Sequence, residues 1–277
     1  MADPRDFALA HLTLMRPPEE MIGIAAAAGF KSVGVRICPR RPGEDYFVNL
    51  IGDTREATRL RRLAEDLGVG LSSVSAYQIC PEIEPDTVLA AVEITAALGC
   101  RCIVVNSFEP DIARFEELLS VYAAAASVHG IRLALEFTPY STVPTLQSAL
   151  ESMARIGADN LGLLIDALHV QRSNGTVGQL ALLHPDAVAL AQICDAPLRS
   201  PSSAPDHLMW EARHARLPLG EGELDLHAFL AALPKGVEIE YEVAGLPGAT
   251  PLDAAMSARR NLRAFGDTLA FAPDCER

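Results

Sequence analysis

No stretch of this 277-residue sequence stays apolar for the ~18 residues that a membrane-crossing helix requires. The opening segment, MADPRDFALAHLTLMRPPEE, also lacks a run long enough for the apolar core of a secretion signal. Basic residues are scarce. The 23 Lys and Arg stand against 36 Asp and Glu, a formal charge of −13. A nucleic-acid binder needs a concentrated positive face, often interleaved with aromatics, and no such stripe is present. The same balance argues against an anionic membrane surface as a partner. The six cysteines, at 38, 80, 100, 102, 194 and 275, form no Cys-x-x-Cys pair, and only Arg101 separates Cys100 from Cys102. Scattered in this way they read as reduced, mostly buried thiols, so a soluble cytoplasmic protein is expected. No linker-like or low-complexity break divides the chain, and a single domain over 1–277 is expected.

What is present is an alternation. Short apolar runs occur at 7–14 (FALAHLTL), 32–37, 70–76, 101–106, 132–137, 161–166, 187–194 and 237–243 (VEIEYEV). Several are nearly continuous rather than alternating, as expected of parallel strands covered on both faces. Between them lie helix-like stretches at about 17–30, 53–68, 85–99, 111–130, 143–157, 176–184, 225–233 and 251–271. The first five end in glycine or just before it, which suits a left-handed helix terminus. Eight strands alternating with eight helices point to the α/β class and a single (β/α)8 TIM barrel. A doubly wound open sheet is the rival, but it normally carries a G-x-G-x-x-G turn after its first strand, and none is found. One long irregular stretch remains, about 195–223, rich in proline and serine. Its length suggests a loop over the active-site face.

In a barrel the C-terminal strand ends face the active site. Here they present His11, Arg36, Tyr77 and Gln78, Asn106 and Glu109, Glu136, Asp166 and His169, Gln192 and Asp195, and Glu240 and Glu242. An aspartate such as Asp166 also suits the N-cap of the following helix, and each of these residues taken alone has an ordinary structural explanation. Their recurrence at successive strand ends does not. Converging carboxylates repel one another unless a cation compensates them. Glu136, Asp166 and Glu242, with the neutral amide oxygen of Gln192, make an oxygen-rich shell suited to Mn2+ or Mg2+, with Co2+ and Zn2+ as further candidates. His169 falls beside that set as an outer or substrate group. Arg36, with Arg40 and Arg41, is placed to meet a phosphate or carboxylate at the barrel mouth. Trp210 and His207 lie in the long loop, where they are placed to close over a substrate.

With these residues in view the chain resembles the xylose-isomerase-like TIM-barrel superfamily, especially its sugar phosphate isomerase/epimerase branch. The resemblance spans nearly the whole chain. It rests on LALEF (133–137), LLIDALHV (163–170), QICDAP (192–197), RLPLGEGELDL (216–226) and EYEV (240–243). It implies four metal ligands, falling on Glu136, Asp166, Gln192 and Glu242, and substrate contacts from His169 and Arg216. Asp195, His11, Arg36 and Asn106 complete the expected substrate-binding set. Two departures stand out. Gln192 replaces the histidine usual in the family, and Pro218 is displaced by one residue from the usual Pro-Gly pair.

The chemistry so implied is proton transfer on a sugar, sugar phosphate or related hydroxy-carbonyl compound. Glu136 and Glu242 would be the acid/base pair and the metal a Lewis acid. The same chemistry serves dehydration of the 3-dehydroshikimate dehydratase type, which is the second reading. A barrel that binds a sugar-like ligand without catalysis is the third. The superfamily's apurinic endonucleases use histidine-rich zinc sites. Here only His11 and His169, of seven histidines, fall near strand ends. A small-molecule substrate is therefore expected, not nucleic acid or membrane, and the sequence leaves room for a homo-oligomer.

Overall fold

A computed structural model describes residues 3–244 and 248–270; Cys275 lies outside them. Eight parallel strands close into a barrel in chain order: β1 (Ala8–Leu9), β2 (Ser32–Arg36), β3 (Gly70–Ser75), β4 (Cys102–Asn106), β5 (Arg132–Glu136), β6 (Leu161–Asp166), β7 (Val188–Ile193) and β8 (Ile239–Tyr241). β1 closes the circle by pairing with both β2 and β8. The expected helices recur between the strands, at Pro18–Ala28, Thr54–Leu67, Pro85–Leu98, Ile112–Val128, Leu146–Ile156, Val177–Leu180, Leu226–Ala232 and Pro251–Ala270. Helices 54–67 and 146–156 stop on Gly68 and Gly157, whose φ of 67° and 64° a side chain would resist. Among the described residues no helix is long and apolar enough to cross a membrane.

Several segments differ from the sequence expectation: the last strand is three residues long, not seven, and a short helix (Ala167–Arg172) follows the sixth strand. The first strand is two residues long, not eight: Ala10 N–H still bonds to Tyr241 O at 3.0 Å, and the chain then turns. His11–Leu14 forms one helical turn, closed by Met15 N–H on His11 O at 2.8 Å, and Thr13 Oγ1 also donates to Tyr241 O. A short apolar run does not by itself separate strand from helix. The stretch 195–223 is not irregular throughout. It contains a helix at Pro205–His214, opened by a proline at its first turn.

The core has two parts. One lies between the sheet and the surrounding helices. The other fills the barrel with Cys102, Val104, Ala134, Leu164 and Leu190. Side chains alternate across a strand, so the residue two positions after each inward one also faces inward. That rule carries Val104 to Asn106, Ala134 to Glu136, Leu164 to Asp166 and Leu190 to Gln192. The apolar filling thus gives way to a polar layer within one step along four adjacent strands.

Candidate active site

A cavity opens at this polar end of the barrel. Eight of the ten residues expected in the site line it: His11, Arg36, Asn106, Glu136, His169, Gln192, Arg216 and Glu242. Asp166, the ninth, lies behind that wall, fully buried, and meets it through Arg216. Asp195, the tenth, is committed to the loop. Its carboxylate accepts N–H bonds from Ala196 (2.8 Å), Gly220 (3.0 Å) and Leu224 (3.1 Å). Its backbone forms an antiparallel bridge with Leu217, both N–H···O distances being 2.8 Å. That bridge sets Arg216 at the barrel mouth.

Arg216 is the electrostatic centre. One guanidinium nitrogen reaches Asp166 Oδ2 at 2.7 Å and Cys194 Sγ at 3.2 Å. The other terminal nitrogen lies 2.9 Å from Glu242 Oε2, and Nε donates to Ala212 O at 2.7 Å. Asp166 Oδ1 meanwhile accepts His169 N–H at 2.9 Å. Asp166 therefore caps the following helix (Ala167–Arg172) and faces the site at once, because its two oxygens divide the two tasks.

One guanidinium does not neutralise three buried carboxyls. Burial, reinforced by Asp166, pushes Glu136 up to about 7. Burial also pushes Glu242 up to about 8, against the pull of Arg216. Although burial acts against it, Asp166 is held below the ordinary carboxylate value, mainly by Arg216. His169 is driven down to about 4 by burial and is a neutral imidazole at pH 7. Its Nε2 lies 3.5 Å from Glu136 Oε1, while its buried Nδ1 has no hydrogen-bond partner among the described residues. Asn106 donates to the other Glu136 oxygen.

Donor atoms of Glu136, Asp166 and His169 lie within 4.8 Å of one another. The sequence placed His169 outside the ligand set. The helical turn after Asp166 brings it beside Glu136, and an unpartnered ring nitrogen is an additional available donor. Glu242 and Gln192, the other two expected ligands, are not in that cluster, and Arg216 stands between Glu242 and Asp166. Buried carboxyls short of positive charge, an orphaned imidazole nitrogen and closely spaced donors are what a divalent cation satisfies, so the residues fit one.

Gln192 is placed from below. Its amide nitrogen donates to Glu240 Oε2 at 2.9 Å, so the carbonyl oxygen is the atom it has left for the cavity. Glu240 is fully inside the barrel, where Ser72 and Ser73 each donate to its Oε1 at 2.6 Å. β2 makes room for that carboxylate with Gly34, where a Cβ would stand 2.7 Å from Glu240 Oε1. On the far wall Arg36 donates through Nε to His11 Nε2 (3.2 Å) and through a terminal nitrogen to Ala76 O (2.9 Å). Burial, with Arg36 and Arg40 nearby, pushes His11 well below the usual imidazole value and keeps it an acceptor.

Sequence reasoning passed over Tyr140 and Arg213, which also line the cavity. The Tyr140 ring stands edge-on to His169, centroids 5.7 Å apart. Arg213 lies on helix 205–214, which a buried pair ties down: Arg172 bonds Glu211 at 2.7 and 2.8 Å. A proline followed by an acid at 205–206 was the available signal for that helix.

Residues 22–264 match the family model described as xylose isomerase-like TIM barrel. A 3-dehydroshikimate dehydratase of Pseudomonas aeruginosa is 29% identical over 238 residues, covering 77% of this chain and 33% of that protein. An inosose isomerase of Bacillus velezensis is 28% identical over 119 residues, covering 42% of this chain and 40% of that protein. The chain thus spans about a third to two fifths of the length of these relatives. Among solved structures, an IolI protein with a bound zinc atom superposes with a TM-score of 0.77 at 16% identity, over 95% of this chain and 99% of that one. At that identity the likeness concerns the fold.

Proposed function

The chain belongs to the xylose isomerase-like TIM-barrel family, and on that premise we propose that it is a metal-dependent isomerase or epimerase of a hydroxy-carbonyl compound. The observation that carries this reading is the pair of buried glutamates, Glu136 and Glu242, facing one cavity with raised proton affinity. Two carboxyls facing one cavity can take a proton from a bound compound and return it.

Glu136 and Asp166, with a ring nitrogen of His169, would hold a divalent ion, and Glu242 and Gln192 Oε1 would be the further donors. When bound, the cation supplies Lewis-acid polarisation of a carbonyl oxygen. The oxygen-rich set favours Mn2+ or Mg2+, and an imidazole donor extends the candidates to Co2+ and Zn2+. Glu136 and Glu242 move the proton between carbon and solvent-shielded carboxyl. Asn106 fixes one oxygen of Glu136 and so orients the other. Arg216 keeps Asp166 ionised and orients Glu242. The other ring nitrogen of the neutral His169 is left to contact a substrate hydroxyl or carbonyl.

The dehydratase relative favours a second reading. In it the same proton removal is followed by loss of a β-hydroxyl as water, which yields a conjugated product instead of an isomer. Proton exchange separates these readings from a barrel that merely binds. Metal-loaded protein is incubated in D2O with hydroxy-carbonyl compounds, and deuterium entry next to the carbonyl is followed by NMR. Exchange that is lost in Glu136→Gln and Glu242→Gln supports the reading, and growth of ultraviolet absorbance identifies the dehydratase. Protein that binds metal but exchanges no proton with any compound would overturn both enzymatic readings.

A further inference from the structure

Three arginines at the cavity mouth form no ion pair with a carboxylate among the described residues. Arg36 is 4% exposed, yet its hydrogen bonds go to the neutral acceptors His11 and Ala76 O. Arg40 contacts Met15 Sδ at 3.9 Å. Neither Arg40 nor Arg213 forms an ion pair among the described residues. All three line the same cavity as Glu136 and Glu242. They also act on one another: Arg36 is depressed by burial and by Arg213, Arg213 by burial and by Arg40 and Arg41, and Arg40 by burial and by Arg36, while Glu242 pulls Arg36 and Arg40 the other way from beyond ion-pair distance.

That arrangement is costly, because arginine is seldom buried without a partner. Several other arginines of the molecule are paired. Arg59 pairs with Glu19 and Glu56, Arg61 with Glu65, Arg155 with Glu116 and Arg172 with Glu211. In a chain with 36 acids and 23 basic side chains, partners were available. Glu44, exposed at the rim, acts on Arg40 and Arg213 only from beyond ion-pair distance. The cavity therefore has an acidic floor at the barrel end and an unpaired basic wall at its mouth.

We propose that Arg36, Arg40 and Arg213 form a subsite for an anionic group of the substrate, a carboxylate or a phosphate, carried on the molecule whose hydroxy-carbonyl end meets Glu136 and Glu242. A guanidinium fork matches the paired oxygens of either anion, and three forks around one mouth suit a group that several donors approach together. The substrate class narrows from sugars in general to hydroxy-carbonyl compounds bearing a negative charge. The wall then sets orientation as well as affinity, because a neutral sugar has no group that prefers the arginine end. This deepens the proton-transfer reading of the same site and rests on it.

Inorganic phosphate and acetate serve as probes, titrated calorimetrically into the full-length protein. The proteins compared are the native chain, Arg40→Gln/Arg213→Gln and Glu242→Gln, each with its fold checked by circular dichroism. One probe should bind Glu242→Gln at least as tightly as the native chain, and bind the double variant at least about tenfold more weakly. The tighter of the two probes identifies the source of the anion. Anion binding unchanged in the double variant, or absent from the native chain for both probes, would overturn the subsite. Deuterium exchange on dihydroxyacetone and its phosphate provides the second arm. The double variant should raise KM for the phosphate ester about tenfold while leaving the neutral ketone unchanged. Exchange with both compounds but no arginine dependence removes the subsite and leaves the proton-transfer reading standing. Arginine-dependent anion binding without exchange does the reverse.

Discussion

Replacing Arg216 with methionine tests whether the site is held together by charge. The guanidinium is 2% exposed and lies 2.7 Å from Asp166 and 2.9 Å from Glu242. Methionine fills much of the volume but leaves both carboxyls without a counter-ion. Breaking a buried ion pair from one side costs about 3–5 kcal/mol. For a chain of this size that corresponds to a fall in Tm of about 5–9 °C. The loss is expected to depend on pH with a definite sign. Glu136, at about 7, and Glu242, at about 8, lie above the 4.5 of an ordinary glutamate, so the folded protein keeps protons that the unfolded chain releases. Their contribution to stability is fully present below about 4.5 and is lost as the pH rises through 7 to 8. Arg216 lowers both values, so its removal should hurt most at pH 8 and least at pH 5. The assay is chelator-treated protein, unfolded thermally and with urea at both pH values, beside Arg216→Lys, which should recover part of the loss. An Arg216→Met protein as stable as the native chain at pH 8 would refute the electrostatic account. An equal loss at both pH values would assign the effect to packing instead.

Four further outcomes follow from the same geometry. Mn2+ added to chelator-treated protein should raise Tm, and more at pH 8 than at pH 5, because metal binding displaces protons from Glu136 and Glu242; a pH-independent rise would place the ion elsewhere. Gly34→Ala sets a methyl group 2.7 Å from Glu240 Oε1 and 2.9 Å from Ser73 Oγ, so thermal unfolding should show a loss of about 1–3 kcal/mol from overpacking. Asp195→Ala leaves three backbone N–H groups without their acceptor and should cost about 2–3 kcal/mol, with limited proteolysis speeding up between 217 and 224. Burial pushes the thiols of Cys38, Cys100 and Cys194 up to about 12, so in a Cys275→Ser background a disulfide reagent should titrate no thiol at pH 8 until the protein is unfolded.

The barrel was legible because its signals are local. A helix that ends on Gly68 or Gly157, and an apolar strand that ends on Glu136 or Asp166, declare themselves within a few residues. The two-residue period of a strand then carries the inference inward, from Ala134 to Glu136 and from Leu164 to Asp166, without any knowledge of the neighbours. What was not legible depends on distant pairs. Arg216 meets Asp166 across fifty positions, and only the bridge between Asp195 and Leu217 aims it there. The helical turn that follows β1 is tied by Thr13 Oγ1 to Tyr241 O, at the opposite end of the chain, and the sequence offers no sign of it. His169 moved closer to the carboxylates because the turn after Asp166 is helical, and that follows from the second role of Asp166 as a cap.

Position 192 shows how such a pair resolves a puzzle that the sequence raises. Glutamine where the family usually has histidine looks like a weakened site as long as residue 192 is considered alone. Glu240 faces the same side of β8 as Glu242, two residues further on, so the barrel carries a second buried carboxylate one level below the cavity. Burial raises its proton affinity, and Ser72, Ser73 and Gln192 are the donors that oppose this. An amide is bifunctional: its nitrogen can satisfy Glu240 while its oxygen stays available above. A neutral imidazole that donated one nitrogen downward would offer a softer atom to the same place. Glutamine at 192 and glutamate at 240 are therefore one device, and Gly34 and the two serines are the space and the donors that it requires.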